Sequence, residues 1–310
     1  MMPISFSTRY RPSNSPSYNS VLCNSPVYRK RASDFPIPAS CDTKRLCSFT
    51  YAYADNTDME GNLGSDVVTL EPSNPKRVPL RIPSVVLGCA SSGLPGTPGL
   101  MGLNRGDLSF VSKLQTVNIP SEFSYCIVDH SLSADSPGVL FFGNYPFAKY
   151  FHYLQLFTIA LPLPYFNRVA YSVRLDGIKV RNKLLSIPKP VFFPEHTGVG
   201  HTMINSDTQF TFLMGQGYTS LKQEFMRQNR GLLMSLIGED FVFQGAMDLC
   251  YQQPASAPFP QMLSLVTLLF NSAEITLAGH QPQSMVTDRA GIVLSQPGRH
   301  NASVRRCCAV

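Results

Sequence analysis

Apolar and polar residues alternate in short runs along most of the chain, and turn residues interrupt them too often for long helices. Ser48-Phe49-Thr50-Tyr51-Ala52-Tyr53 alternates aromatic and small residues and predicts a strand. Ala54-Asp55-Asn56-Thr57 supplies turn chemistry. Leu63 to Leu70, with Val67, Val68 and Thr69, predicts the return strand of a long hairpin with a polar tip. Val85-Val86-Leu87-Gly88 predicts a short buried strand, Gly93 to Gly99 a loop, and Leu100-Met101-Gly102-Leu103 an apolar segment broken by glycine. Leu108, Val111 and Leu114 fall at helical spacing, with Asp107 as the cap. Phe123 to Val128 and Val139 to Phe142 close a first unit near residue 150.

A second unit follows. Tyr171 to Val180 alternates like a half-buried strand with a kink at Gly177. Thr202-Met203-Ile204 predicts a strand that runs into Asn205-Ser206-Asp207-Thr208. Tyr218, Leu221, Phe225 and Met226 predict the apolar face of an amphipathic helix. Leu265 to Phe270 and Glu274 to Leu277 predict late strands, and after about residue 280 the periodicity stops. Short strands, 25 prolines and 21 glycines together predict an all-β chain rather than a helical bundle.

Composition narrows the function classes. Over 310 residues, 44% are hydrophobic and 15% charged, which is globular rather than disordered. The net charge of +6 is spread out, apart from short runs at Arg29-Lys30-Arg31, Lys76-Arg77 and Arg305-Arg306. A nucleic-acid face needs a denser basic stripe with interleaved aromatics, so no nucleic-acid partner is expected. No apolar stretch approaches the roughly 18 residues of a membrane span. The first ten residues lack the apolar run of a secretory signal. Yet eight cysteines (23, 41, 47, 89, 126, 250, 307, 308) suit ancestry in an oxidising compartment. They form no Cys-x-x-Cys pair, and the six histidines never reach His-Glu-x-x-His spacing, so neither metal nor cofactor is expected. Cys41 and Cys47 are close enough in sequence to pair. Asn301-Ala302-Ser303 is a glycosylation sequon, and Cys307-Cys308-Ala309-Val310 ends the chain like a weak prenylation box.

Longer phrases carry a family resemblance. They are Asp34-Phe35-Pro36-Ile37-Pro38-Ala39-Ser40-Cys41, Gly99-Leu100-Met101-Gly102-Leu103-Asn104-Arg105-Gly106, Leu163-Pro164-Tyr165-Phe166-Asn167-Arg168-Val169-Ala170-Tyr171 and Asp240-Phe241-Val242-Phe243-Gln244-Gly245. With Phe123-Ser124-Tyr125-Cys126 and the Gly138 to Gly143 stretch, they resemble the pepsin-like aspartic endopeptidases over about residues 10–280. The closest look is to the promotion-of-cell-survival type of the plant branch. The resemblance implies two all-β lobes facing across a cleft, each donating an Asp-Thr/Ser-Gly turn, under a hairpin flap that carries a tyrosine. It implies an irregular arm over 1–40, a partial N-terminal lobe with the flap over 41–150, a partial C-terminal lobe over 151–280 and an unstructured tail over 281–310. The fold is then expected to be incomplete at both ends. Tyr53 and Asp55 fall at the flap position, where Tyr53 also reads as an ordinary strand aromatic. Tyr28 stands where a family cysteine often lies, and Cys250 lacks its late partner, so several thiols are expected free. Peptide or protein substrates, a usually monomeric state and a secretory or extracellular location are further family traits.

The chemistry implied is peptide-bond hydrolysis by two carboxyl groups that share one proton around a water. The ionised member takes a proton from water and the protonated one polarises the scissile carbonyl. Neither turn is intact here. Asp42-Thr43 is followed by Lys44 and has no apolar strand before it, so it reads as a loop pair. At the second turn the family reads Asp-Ser-Gly-Thr, and this chain reads Asn205-Ser206-Asp207-Thr208 between well-matched flanks. Asn205 keeps the shape of an aspartate without its exchangeable proton. Asp207 puts a side chain where a tight turn favours glycine. The expectation is therefore a family member that is catalytically incomplete. A peptide-binding pseudoprotease and a truncated product without function are the alternatives.

Overall fold

The computed structural model describes residues 2–4, 10–31, 35, 37–52, 58–71, 76, 78–91, 99–126, 138–146, 148–205, 211–231, 234–235, 249–252, 265–277, 284–286, 291–293 and 307–309. The chain divides into two compact units, 1–127 with 138–149 and 307–310, and 128–137 with 150–306.

The first unit is built on one sheet. Its strands are β1 (Asn19–Ser20), β2 (Ser40–Cys41), β3 (Cys47–Ala52), β4 (Asp58–Leu70) and β5 (Leu80–Ala90). β4 is the spine: it pairs antiparallel with β1, with β3 from Asn62 to Asp58, and with β5 along most of its length. Between the Asp66–Val85 and Val68–Ile82 pairs, Pro83 and Ser84 of β5 oppose Val67 alone, so the bulge lies in β5, where Ser84 takes a left-handed backbone with φ 55°. Val21, Ala39, Cys47, Phe49 and Leu63 form the core under the sheet. Gly64 has no side chain because the Tyr18 ring lies where its Cβ would be. A short helix, α1 (Pro26–Arg31), precedes β2. The segment before residue 40 is therefore more than an irregular arm: Tyr18 and Val21 pack it onto the sheet.

The disulfide expectation needs correction. Cys23 bonds Cys41, with their Cα atoms 5.9 Å apart, and Cys47 is a free, buried thiol. Cys47 N–H donates to Val21 O at 2.8 Å and Leu22 bridges Leu46, which brings Cys23 alongside β2 while the Cys47 thiol joins the core. A helix does form after the glycine-broken segment, but α2 spans only Phe110–Lys113 and its N-cap is Ser109, not Asp107. β6 (Phe123–Cys126) and β7 (Val139–Phe142) pair as a hairpin.

The second unit packs a helix on a sheet. β8 (Tyr171–Val173) is separate from β9 (Leu175–Val180), and Gly177 lies at a register shift in the β9 pairing, where the sequence predicts a kink. β9 lies between β10 (Lys183–Leu184) and β13 (Val266–Phe270), and β14 (Glu274–Leu277) pairs β13 on its far side. β11 (Thr202–Ile204) pairs β8, and β12 (Thr211–Phe212) leads into α3 (Gly215–Gln228). Tyr218, Leu221 and Phe225 of α3 bury against Leu175, Ile178, Val180 and Val266. Met226 is exposed, so the apolar face is narrower than its sequence predicts. Within 281–310, expected to be unstructured, Ser284–Val286 and Gly291–Val293 pair with each other and extend strand edges, and Cys307–Ala309 pairs β6. Short β-favouring triplets are enough to satisfy an open edge.

Candidate functional site

The turn singled out in the sequence sits at the end of a short ladder. β8 and β11 pair Tyr171 with Ile204, Ser172 with Met203 and Val173 with Thr202. Asn205 is the next residue, beyond the last pair, and it is exposed. Ser206, Asp207 and Thr208 lie outside the described residues. The chain is described again at β12, with Phe212 and Met214 exposed.

The approach to this turn is tightly packed. Ser172 is fully buried and its carbonyl accepts Phe157 N–H at 3.0 Å. The His201 ring lies 4.8 Å from the Phe166 ring, which is 5.9 Å from the Phe157 ring. His201 Nδ1 is 3.0 Å from Gly198 O. Gly198 has φ 94°, and a Cβ there would meet Phe166 backbone and side-chain atoms at 2.7 Å, so the bend that feeds β11 requires glycine. Among the described residues, Ser172 Oγ and His201 Nε2 are buried without a hydrogen-bond partner. β11 thus enters the turn from a firm base.

The β3–β4 hairpin, expected to carry the flap, is described up to its tip. Its stem closes at Ala52 and Asp58, and Tyr53 and Asp55 lie outside the described residues. Asp42 organises the loop before the stem: its carboxylate accepts Lys44 N–H at 2.9 Å, Leu46 N–H at 2.8 Å and Asn62 Nδ2 at 3.2 Å. That is a structural role for Asp42.

Two buried carboxylates escape sequence reading, because each is a lone acidic residue in an apolar pattern. Asp66, in β4, accepts Tyr10 Oη and Ser17 Oγ at 2.5 Å each and Val67 N–H at 2.7 Å. Burial pushes its carboxyl pKa up, but the bonds from Ser17 and Tyr10 outweigh it and hold the group well below the usual range. Glu224, in α3, accepts Arg227 Nη2 at 2.5 Å, Lys183 Nζ at 2.7 Å and Gln228 Nε2 at 2.7 Å. Arg227 is the largest cause holding its carboxyl low, against burial. Carboxylates saturated by such donors stay ionised and anchor structure. Among the described residues no three His, Cys, Asp or Glu side chains gather to hold a metal, and no helix is long and apolar enough to cross a membrane.

Comparison with known proteins places these elements. Residues 6–144 match the family model described as xylanase inhibitor N-terminal, and residues 170–293 match the one described as xylanase inhibitor C-terminal. Aspartic proteinase PCS1 of Arabidopsis thaliana is 43% identical over 87% of this chain and 59% of its own length. Aspartic proteinase nepenthesin-1 of Nepenthes gracilis is 25% identical over 84% of this chain and 54% of its own. The chain therefore spans little more than half the length of these relatives. Among solved structures, edgp superposes with a TM-score of 0.69 at 16% identity over 94% of this chain and 80% of that one. Basic 7S globulin from soybean does so at 0.61 and 17% identity, over 94% and 78%. At such identities these likenesses establish the fold.

Proposed function

We propose a function for this chain from one premise: it belongs to the plant branch of the pepsin-like aspartic protease family, with that family's all-β fold. The family's activity is aspartic-type hydrolysis of peptide bonds in proteins, and this chain is a catalytically incomplete member. By their place in the sequence, residues 205–208 correspond to the second of the family's two catalytic turns, and Tyr53 and Asp55 to its substrate-binding flap. The observation that carries this reading is Asn205, exposed directly beyond the β8–β11 ladder, with an amide where the family places a carboxyl.

In its encoded form the turn is catalytically incomplete. A dyad needs one group that holds a proton and one that takes it at working pH. The amide of Asn205 does neither, and no Asp-Thr-Gly or Asp-Ser-Gly occurs in the 310 residues. The test uses the purified chain and a denatured globular substrate between about pH 3 and 6, where carboxyl dyads work. No pepstatin-sensitive cleavage is expected from the chain itself, or from Asn205→Asp with Asp207→Gly. Cleavage is expected when that double variant also carries, at its N-terminus, the Asp-Thr-Gly segment of a relative. Cleavage by the unaltered chain overturns the incompleteness. Failure of the complemented variant overturns the assignment of the turn.

A further inference from the structure

We propose that Cys23, Cys41 and Cys47 form a thiol–disulfide relay, in which the Cys47 thiol takes over the bond to Cys41 and turns Cys23 into a modification site for small electrophiles. Cys47 gives its proton to water, and the thiolate attacks Cys41 Sγ. The sulfur–sulfur bond between residues 47 and 41 forms, the one between 41 and 23 breaks, and the electron pair leaves on Cys23 Sγ. One thiol and one disulfide enter and one of each remains, so no oxidant or reductant is consumed. The Cys23 thiolate then displaces the leaving group from the electrophile's carbon. The sulfur–carbon bond that results keeps the old disulfide from re-forming.

The backbone pairing brings the three sulfurs together. Cys41 is the direct partner of Cys47 in the antiparallel β2–β3 ladder. Asp42 N–H donates to Leu46 O at 3.0 Å, so Cys41 and Cys47 form a pair that exchanges no hydrogen bonds with each other. Such pairs hold their Cα atoms only about 4.5 Å apart, with both side chains on one face. A disulfide needs Cβ atoms about 3.5–4.5 Å apart, so the thiol has little distance to close. On the other side of the Leu46–Cys47 segment, Cys47 N–H donates to Val21 O at 2.8 Å and Cys23 N–H donates to Arg45 O at 3.0 Å. Cys23 Sγ lies 3.5 Å from Leu46 O, so the Cys23–Cys41 bond rests against the peptide that leads into Cys47.

The Cys23–Cys41 bond is the resting form. It joins residues separated by 18 in sequence, whereas a bond from 41 to 47 closes a much shorter loop and constrains the unfolded chain less. Cys47 is fully buried beside Val21, Phe49 and Leu63, and that burial raises its pKa, so the attacking thiolate is scarce at neutral pH. Among the described residues, Tyr28 of α1 and Tyr51 of β3 are the titratable side chains packed against this core. Asp42, Lys44 and Arg45 lie in the β2–β3 turn, and the Asp42 carboxylate is engaged by Lys44 N–H, Leu46 N–H and Asn62 Nδ2. Cys23 is half-buried, so the relay moves reactivity from a closed position to a more open one.

The test is a time course of the full chain with iodoacetamide, quenched in acid and mapped by peptide mass spectrometry after tryptic digestion without reduction. Trypsin cuts after Lys44 and Arg45, so a Cys41–Cys47 bond leaves two linked peptides. Carbamidomethyl is expected on Cys23 in step with the Cys41–Cys47 link. The rate should rise about tenfold for each pH unit between about pH 6.5 and 8.5, as the thiolate fraction does, and should not depend on protein concentration. Cys47→Ala should leave Cys23 unlabelled and the Cys23–Cys41 bond in place. The concentration series needs only the parent chain, so it separates the relay from exchange between molecules even where the variant does not fold. Four results overturn the proposal: alkylation of Cys47 itself in the native chain, labelling of Cys23 in Cys47→Ala at the parental rate, a rate that scales with protein concentration, or a Cys23–Cys41 bond unchanged after a day at about pH 8.5.

Discussion

Replacing Glu224 by Gln tests how α3 is held to the second-unit sheet. The Glu224 side chain is 7% exposed and accepts bonds from Arg227 Nη2 and Nε, Lys183 Nζ and Gln228 Nε2. Glutamine keeps the volume but removes the charge and turns an amide nitrogen toward donors. Hydrogen bonds to a buried charge contribute about 1.5–3 kcal/mol each. Here Lys183 and Arg227 are 56% and 63% exposed and regain hydration when released, so their shares must be discounted heavily. Gln228 keeps its bond to Val180 O at 3.0 Å. The net loss is then about 2 kcal/mol, a large part of a domain's stability.

The pH dependence follows from the direction of the shift. The folded carboxyl titrates below its unfolded value of about 4.3, so its contribution is fully present above that value and is lost as pH falls through the folded one. Urea unfolding of Glu224→Gln, followed by circular dichroism, should show a lower midpoint with unchanged slope at pH 7. The gap from the parent should narrow as the buffer is taken below about pH 4. A loss under about 0.5 kcal/mol at pH 7 refutes the anchoring role, as does a gap that does not change with pH.

Asp66→Asn should release the segment around residues 10–18 from β4, at a cost of about 2–3 kcal/mol above pH 4 that vanishes in acid, for the same sign of shift. Chymotrypsin should then cut the native protein faster after Tyr18, and an unchanged rate would rule the clamp out. Cys23→Ser should lower stability by about 3 kcal/mol, the value for a loop of this size, whereas Cys41–Cys47 pairing would leave the loss near zero. The Cys47 thiol, buried and with its pKa raised by that burial, should stay unlabelled by thiol reagents until urea is added.

Where residues alternate with period two and the turn is polar, the strand is visible in the sequence, as in β3, β11, β13 and β14. β4 and β5 are longer than their apolar runs because the devices that extend them look like breakers. Gly61 and Gly64 weaken the strand pattern of β4, yet the bare Gly64 is what lets Tyr18 lie on the sheet. Pro83 and Ser84 form the bulge in β5, so only the segment after them reads as a strand. The Cys23–Cys41 bond was hidden for a related reason. Nearness in sequence favours Cys41 with Cys47, but the ladder turns Cys47 into the core and the segment after β1 delivers Cys23 instead.

The site divides along the same line between local and long-range information. Asn205 is legible because a strand, a turn and their flanks lie together in sequence, and β8, some thirty residues earlier, only steadies what β11 already presents. Asp42, Asp66 and Glu224 are not legible, since their roles are set by partners such as Asn62, Tyr10 and Lys183 that local pattern does not reveal. Those partners also settle which acids can do chemistry. A carboxylate that accepts three or more bonds in a buried place is stabilised as an anion and has no proton to offer a carbonyl. Position 205 lies just beyond the β8–β11 ladder and is exposed, unlike these buried carboxylates. On the proposed reading, catalytic competence therefore needs two carboxyls absent from these 310 residues at the matching positions, one at position 205 and one in a first Asp-Thr-Gly turn, and no carboxylate that the fold already buries can stand in for them.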